Sequence, residues 1–285
     1  MIAVNAQITN ALTIDVEDYF QVSAFAPHIA RADWPNMPCR VEANIERILL
    51  LLEAQHIHAT FFTLGWIAER YPAMLRSIAA AGHEVASHGY AHLRATEQSR
   101  ADFAHDISLS KSILEQLTGL AVQGYRAPSF SIGPANLWAF EVLQEAGYRY
   151  SSSIYPIRHD HYGMPDAPRF AWRPRGLHGV LELPISTVRV GRRNFPAGGG
   201  GYFRLLPYGV THWCLRRINS LDGQAGIFYF HPWELDPGQP RPAGLGWKTR
   251  FRHYVNLQRM EPRLARLAKD FRWGRMDRIF LDSTG

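Results

Sequence analysis

Glu84-Val85-Ala86-Ser87-His88-Gly89-Tyr90-Ala91-His92 decides how the rest of the chain reads. Glu84 to Ser87 is a brief strand pattern that delivers His88, and a second histidine follows four residues later. An i, i+4 pair on one helical turn points both rings the same way. Imidazole is the commonest protein ligand for zinc, and catalytic sites usually take three protein ligands and leave one position for water. With 13 histidines in 285 residues, such a pair also arises by chance. Its weight comes from Asp15-Val16-Glu17-Asp18, which follows a second apolar run, Ala11-Leu12-Thr13-Ile14.

Outward from these two stretches the pattern alternates. Val41 to Ala54 carries apolar residues at helical period, and His58 to Leu64 reads as a strand. Met74 to Ala81 is a helix stopped by Gly82, and Ala101 to Leu117 a longer one stopped near Gly119. Val122 to Tyr125 is a strand closing on Arg126. A helix from Pro134 to Ala146 and a strand at Tyr148 to Tyr150 come next. Strand and helix in repeated alternation predict an α/β fold with a parallel sheet wrapped by helices. Pro156 to Pro174 predicts a long surface loop, and Gly179 to Pro184 a strand. The glycines at 198–201 permit either close backbone approach or a flexible bend. They lack the ending of a phosphate loop and the spacing of a dinucleotide fingerprint. Pro207 to Ile218 is helical, Ala225 to Phe230 a fully apolar strand ending at His231, and Tyr254 to Leu267 a helix. Arg278 to Leu281 closes as a last strand or extended tail. The simplest count is a single domain over 1–285, with a core of about 8–235 and a C-terminal extension of about 236–285.

Composition narrows the function. The formal charge is +6, yet no block of five like charges occurs, which argues for a scattered basic surface and against nucleic acid as partner. No apolar run reaches the eighteen or so residues of a membrane span. Cys39 and Cys214 are far apart with no Cys-x-x-Cys, so a disulfide framework is not expected. The beginning of the chain shows no signal-peptide pattern, and cytoplasmic residence is the expectation, peripheral to the inner membrane at most.

Four strand ends carry Asp15, Glu17 and Asp18; His88 and His92; Arg126; and His231. In a parallel sheet these ends converge on one face, where α/β folds place ligands and chemistry. If Glu17, His88 and His92 hold a metal, Asp15 is within reach as general base, Arg126 can keep it ionised, and His231 can protonate a leaving amine. That set belongs to an amide hydrolase. Taken singly, Asp15 and Asp18 also fit an N-cap or turn pair, His92 a loop histidine, Arg126 a structural ion pair and His231 a packed core histidine. One site accounts for all of them together.

Thr13-Ile14-Asp15-Val16-Glu17-Asp18, Ser87-His88-Gly89-Tyr90-Ala91-His92, Arg126-Ala127-Pro128-Ser129-Phe130 and Phe228-Tyr229-Phe230-His231-Pro232 resemble, in this order, the motifs of the NodB-homology polysaccharide deacetylases, carbohydrate esterase family four. The resemblance covers nearly the whole chain and leans toward the branch related to allantoinase-like and peptidoglycan deacetylases. Gly199 to Pro207 and the tail resemble deacetylases of exopolysaccharide and exosortase loci. It implies a distorted (β/α) barrel of fewer strands than eight, with Asp15 as base, His88 and His92 as metal ligands, Arg126 as the tether of the base and His231 as acid. It further implies a polysaccharide or oligosaccharide substrate, association with exopolysaccharide machinery, and zinc, with cobalt or nickel also suited to the donor set. Two departures stand out. Val16 occupies the slot of the family's metal-binding aspartate, so the carboxylate ligand is Glu17 or Asp18, and the two-residue spacing of the related branch favours Glu17. The family's later Asp-x-Ser motif is here Ser151-Ser152-Ser153, without its acid. The rival functions are hydrolysis of a small or cyclic amide, favoured by a pocket closed by the 156–174 loop, and a non-catalytic carbohydrate-binding module. Trp66, Tyr155, Tyr162, Trp172 and Trp233 are candidate sugar-stacking faces.

Overall fold

The computed structural model describes residues 8–159, 163–174, 176 and 178–282. Its centre is the strand β1, Thr9–Val16, in which every residue after Thr9 is buried. A strand covered on both faces must be apolar throughout, and the polar exceptions in β1, Asn10, Thr13 and Asp15, all have hydrogen-bond partners. Beside it run β2 (Thr60–Thr63), β3 (Glu84–Ser87), β4 (Gly124–Tyr125), β5 (Tyr150–Ser151) and β6 (Leu181–Glu182), each parallel to the one before. An antiparallel hairpin, β7 (Thr187–Val190) with β8 (Arg193–Pro196), comes after them. β9 (Ile227–Phe230) then returns to the other side of β1. The sheet curls into a distorted (β/α) barrel, as the sequence implies.

The helices α1 (Val41–Glu53), α2 (Gly65–Arg70), α3 (Pro72–Ala80), α4 (Arg100–Thr118) and α5 (Ala139–Glu145) fill the crossovers. α4 starts on Ser99, whose hydroxyl accepts from the Asp102 amide, and stops at Gly119 with φ +70°. α5 is shorter than its sequence pattern, since the residues after Pro134 form turns.

The second half departs further. α6 (Gly200–Leu205) and α7 (Tyr208–Arg217) lie after the hairpin. Of the helix expected from Tyr254 to Leu267 only the part from Met260 forms, as α9 (Met260–Asp270), and a separate helix, α8 (Trp247–Tyr254), ends where it was to begin. Asn256, at φ +53°, breaks them apart. The buried Arg204 donates to the carbonyls of His253 and Val255, taking over the acceptors a continuing helix would have used. The extended tail expected at Arg278–Leu281 is instead the helix α10 (Met276–Phe280). The last strand lies earlier, β10 (Arg272–Gly274), parallel to the start of β1. The residues beyond 236 thus enter the main sheet.

Candidate active site

The loop that carries the two histidines is held from three sides. Ser110 of α4 donates to the Gly89 carbonyl, and so does the Gly65 amide. The Asp106 carboxylate accepts from the Tyr90 amide. Arg31 donates to the carbonyls of Ala91 and His92. The stretch is not the helical turn its spacing suggests. Gly89 sits at φ +76° and His92 at φ +54°, and a Cβ on Gly89 would lie 2.7 Å from Asp106 Oδ2, so a tight left-handed bend brings the rings together. Their centroids are 5.3 Å apart.

The His88 Nδ1–H donates to the Arg126 carbonyl over 2.8 Å, which leaves Nε2 with its lone pair. Burial pushes the His88 pKa down to about 4, so the ring is neutral. His92 Nε2 lies 2.8 Å from Glu17 Oε2. Burial alone would raise the Glu17 carboxyl, but the charges of His92 and His231 overcome it and hold it at about 2. Glu17 Oε2 is buried, with His92 Nε2 as its close polar neighbour. Among the described residues Glu17, His88 and His92 form the one group whose ligand atoms all lie within 4.8 Å of one another. A neutral imidazole, a second histidine and an ionised carboxylate are the donors a divalent cation takes, and the set, its ligand atoms gathered and buried, fits one. Asp18 is elsewhere engaged: its carboxylate accepts from the amides of Tyr19 and Val41, binding the entry turn to the start of α1.

Asp15 meets Arg126 on the other side. Arg126 is fully buried, and its Nη1 lies 2.6 Å from Asp15 Oδ1 and 2.8 Å from the Thr13 hydroxyl. Nε donates to the carbonyl of Ser152 and Nη2 to its hydroxyl, and the guanidinium lies over Phe62 at 4.0 Å. These four bonds fix the guanidinium, and with it the orientation of Asp15. The serine stretch that lacks the family acid is therefore the seat of Arg126. A carboxylate does stand nearby: Glu182 of β6 accepts from the amides of Ser153 and Ile154, and burial raises it to about 8.

His231 Nε2 lies 3.5 Å from Glu17 Oε1 and 4.0 Å from Asp15 Oδ2. Its Nδ1–H donates to Glu234 over 2.9 Å, and Glu234 in turn is 2.6 Å from Arg204 Nε, both buried. Burial disfavours the His231 charge, yet Glu17, Glu234 and Asp15 around it raise its pKa to about 9. Arg204 and His231 likewise hold Glu234 down at about 2 against burial. Neither Glu234 nor Arg204 stands out in the sequence. The signal for them is the glycine run: a Cβ on Gly200 would stand 2.2 Å from Glu234 Oε1, so close approach, not flexibility, accounts for that glycine.

Asp15, Glu17, His88, His92 and His231 line a cleft of about 840 Å³, together with Phe20, Ala24, Pro27, Ala30, Arg31, Trp34, Phe130 and Tyr229. Ala24, Pro27, Ala30 and Arg31 are exposed, so the cleft opens to solvent, and no described residue of the 156–174 loop lines it. Of the candidate stacking aromatics only Trp233 lines the cleft, and its ring is sandwiched between His231 at 5.1 Å and His253 at 4.1 Å. Tyr155 is buried in the core, Trp66 packs on Trp34 and Trp172 on Phe140, while Tyr162 lies outside the described residues.

Residues 33–151 match the model of the polysaccharide deacetylase family. That stretch, 33–151, is a polysaccharide deacetylase domain. His88, His92 and Arg126 fall inside that match and Asp15 and Glu17 precede it. His231, Glu234 and Arg204 fall in residues 152–281, which match a domain of unknown function, DUF3473. The deacetylase domain is similar to the peptidoglycan deacetylase of Helicobacter pylori, 31% identical over 40% of this chain and 38% of the relative. It is also similar to a peptidoglycan-N-acetylglucosamine deacetylase of Bacillus cereus, 33% identical over 33% of this chain and 35% of that one. A chitooligosaccharide deacetylase of Sinorhizobium fredii is 25% identical over 50% of this chain and 60% of its own length. The chain thus spans less than two thirds of these curated relatives. A crystal structure from Mycobacterium smegmatis, described provisionally as a polysaccharide deacetylase, shares the fold at a TM-score of 0.61 and 20% identity, covering 95% of this chain and 89% of its own.

Proposed function

We propose that this chain hydrolyses N-acetyl groups from an N-acetylhexosamine-containing polysaccharide or its precursor, with a divalent metal held by Glu17, His88 and His92. The observation that carries the reading is the buried ligand set Glu17, His88 and His92 with two groups beside it: His231 Nε2, 3.5 Å from Glu17 Oε1 and 4.0 Å from Asp15 Oδ2, and Asp15 itself, tethered by Arg126. A bound divalent ion would polarise the acetamide carbonyl and make a water more acidic. Asp15, ionised and fixed by Arg126, takes the proton from the attacking water. His231 enters the reaction protonated and delivers its Nε2 proton to the departing amine, while Glu234 holds the ring through Nδ1. The solvent-open cleft, lined by no described residue of the 156–174 loop, favours a polymer over a small cyclic amide. We read residues 1–285 as one unit, since β10 joins the sheet that bears the site. Work alongside exopolysaccharide machinery rests on the likeness of Gly199–Pro207 and the tail to such deacetylases.

The test is acetate release from N-acetylglucosamine oligomers, with chelator and with zinc or cobalt restored. Release that chelator abolishes, metal restores and Asp15→Asn removes is the expected result. Release indifferent to chelator overturns the metal reading. Glycan binding without turnover, equal in the wild type and Asp15→Asn, replaces the enzyme with a binding module.

A further inference from the structure

One surface beside the cleft is used by none of this chemistry. Helix α8 presents Trp247, 74% exposed, and Phe251, 54% exposed, one turn apart on its outer side. Lys248, Arg250 and Arg252 flank them and are exposed. From Pro237 to Met260 the sequence contains Arg241, Lys248, Arg250, Arg252 and Arg259 and no aspartate or glutamate. Isolated exposed apolar residues such as Leu50 and Leu137 are ordinary. Two large exposed aromatic rings spaced one turn apart along one helix face, in an acid-free basic segment, are a different pattern. Aromatic side chains gain most at the boundary of water and lipid, and lysine and arginine around them meet anionic headgroups.

We propose that α8 docks this protein onto an anionic phospholipid surface, with Trp247 and Phe251 entering the headgroup boundary and Lys248, Arg250 and Arg252 facing lipid phosphates. The charge is complementary, and the shape decides between lipid and an acidic polymer. Side chains this exposed protrude from the protein, whereas a dissolved glycan is held in a concavity. A bilayer yields around protrusions. The opposite side of the same helix is bound to the site: Thr249 lines the cleft, and the buried His253 stacks on Trp233, which stacks on His231. Docking through the outer side therefore sets the cleft beside the lipid surface. On the deacetylase reading this favours a lipid-anchored glycan as substrate, although the docking itself stands without that reading. Among the described residues no helix is long and apolar enough to cross a membrane, so attachment through α8 would be from one side.

The experiment is co-sedimentation of the whole chain with vesicles of phosphatidylglycerol mixed with phosphatidylcholine, and with vesicles of phosphatidylcholine alone. Binding to the anionic vesicles is expected. A basic residue near such a surface contributes about fivefold, so Lys248→Gln/Arg250→Gln/Arg252→Gln should weaken binding on the order of a hundredfold. Trp247→Ser/Phe251→Ser, with every charge kept, should weaken it by about tenfold or more. All five positions are exposed, and unchanged circular dichroism and thermal unfolding confirm that each variant is folded. No sedimentation of the parent chain with anionic vesicles overturns the proposal. Binding that the aromatic pair does not affect overturns it too, since that is attraction to any polyanion. Retention on dextran sulfate without vesicle binding assigns the face to an acidic polymer instead.

Discussion

His88 and His231 leave parallel strands of one sheet, face one cleft, and each donate Nδ1–H to a neighbour fixed by the fold. They end in different charge states. His88 donates to a backbone carbonyl, and burial brings its pKa down to about 4. His231 donates to a carboxylate, and with Glu17 and Asp15 also close by its pKa rises to about 9. A neutral ring with a free Nε2 is what a cation binds; a charged ring is what a departing amine needs. The difference shows that the same residue type, delivered the same way, takes its role from the acceptor behind it.

The strongest way to break the comparison is to remove the neutral bank. His88→Ala should abolish stoichiometric retention of zinc or cobalt, measured by elemental analysis, and lower acetate release by roughly a thousandfold or more. His231→Ala should retain metal and lose about a hundredfold or more in kcat. If the two variants fail alike, the two histidines do not differ in the way described.

Next is the acceptor itself. Glu234→Gln keeps the shape and removes the charge, so the His231 pKa should fall toward 6.5, read as a shift in its imidazole resonance during an NMR pH titration. It also leaves Arg204 buried without its partner, at a cost of about 3–5 kcal/mol, so chemical unfolding must accompany the kinetics. Pairing it with Arg204→Met should recover part of that stability and leave the His231 shift in place.

The pH dependence sharpens the contrast. His231 is raised above its ordinary 6.5, so its protonated form predominates at low pH and is lost as pH rises through about 9. The basic limb of the rate profile should therefore fall across this interval. A cation on Glu17 neutralises one of the charges that raises His231, so the limb of the metal-loaded enzyme belongs below 9 and above 6.5.

The smallest expected effect lies behind Arg126. Burial raises Glu182 from 4.5 to about 8. A group with a raised folded pKa favours folding most below its unfolded value, and that contribution shrinks as pH rises from 4.5 and is gone above about 8. Glu182→Gln should flatten this part of the stability curve in denaturant titrations, with acetate release changed by less than about tenfold.

Much of the first half was legible because its signals are local. Apolar period and glycine stops mark α1 and α4, and an apolar run that ends in polar residues marks β1 and β3. Less of the second half was, because contacts distant in sequence shape it. A helical period runs through 254–267, but the Arg204 guanidinium takes the carbonyls at its start and Asn256 turns left-handed. The tail has the composition of a strand, yet Asp277 and the Met276 amide are held by Glu84 and Thr60 beneath the sheet, and α10 forms there.

The sequence by itself determined the α/β class, the strands β1, β2, β3 and β9 and the polar residues that end them, because a buried parallel strand permits only an apolar run and frees the residues at its end for polar groups. Tertiary structure alone decided the company those residues keep. Glu17, not Asp18, stands with His88 and His92, Ser152 seats Arg126, and Glu234 with Arg204 stands behind His231. The reason is electrostatic: a charge in a buried site is set by neighbours within a few ångströms, and those neighbours come from strands and loops that the order of residues along the chain does not bring side by side.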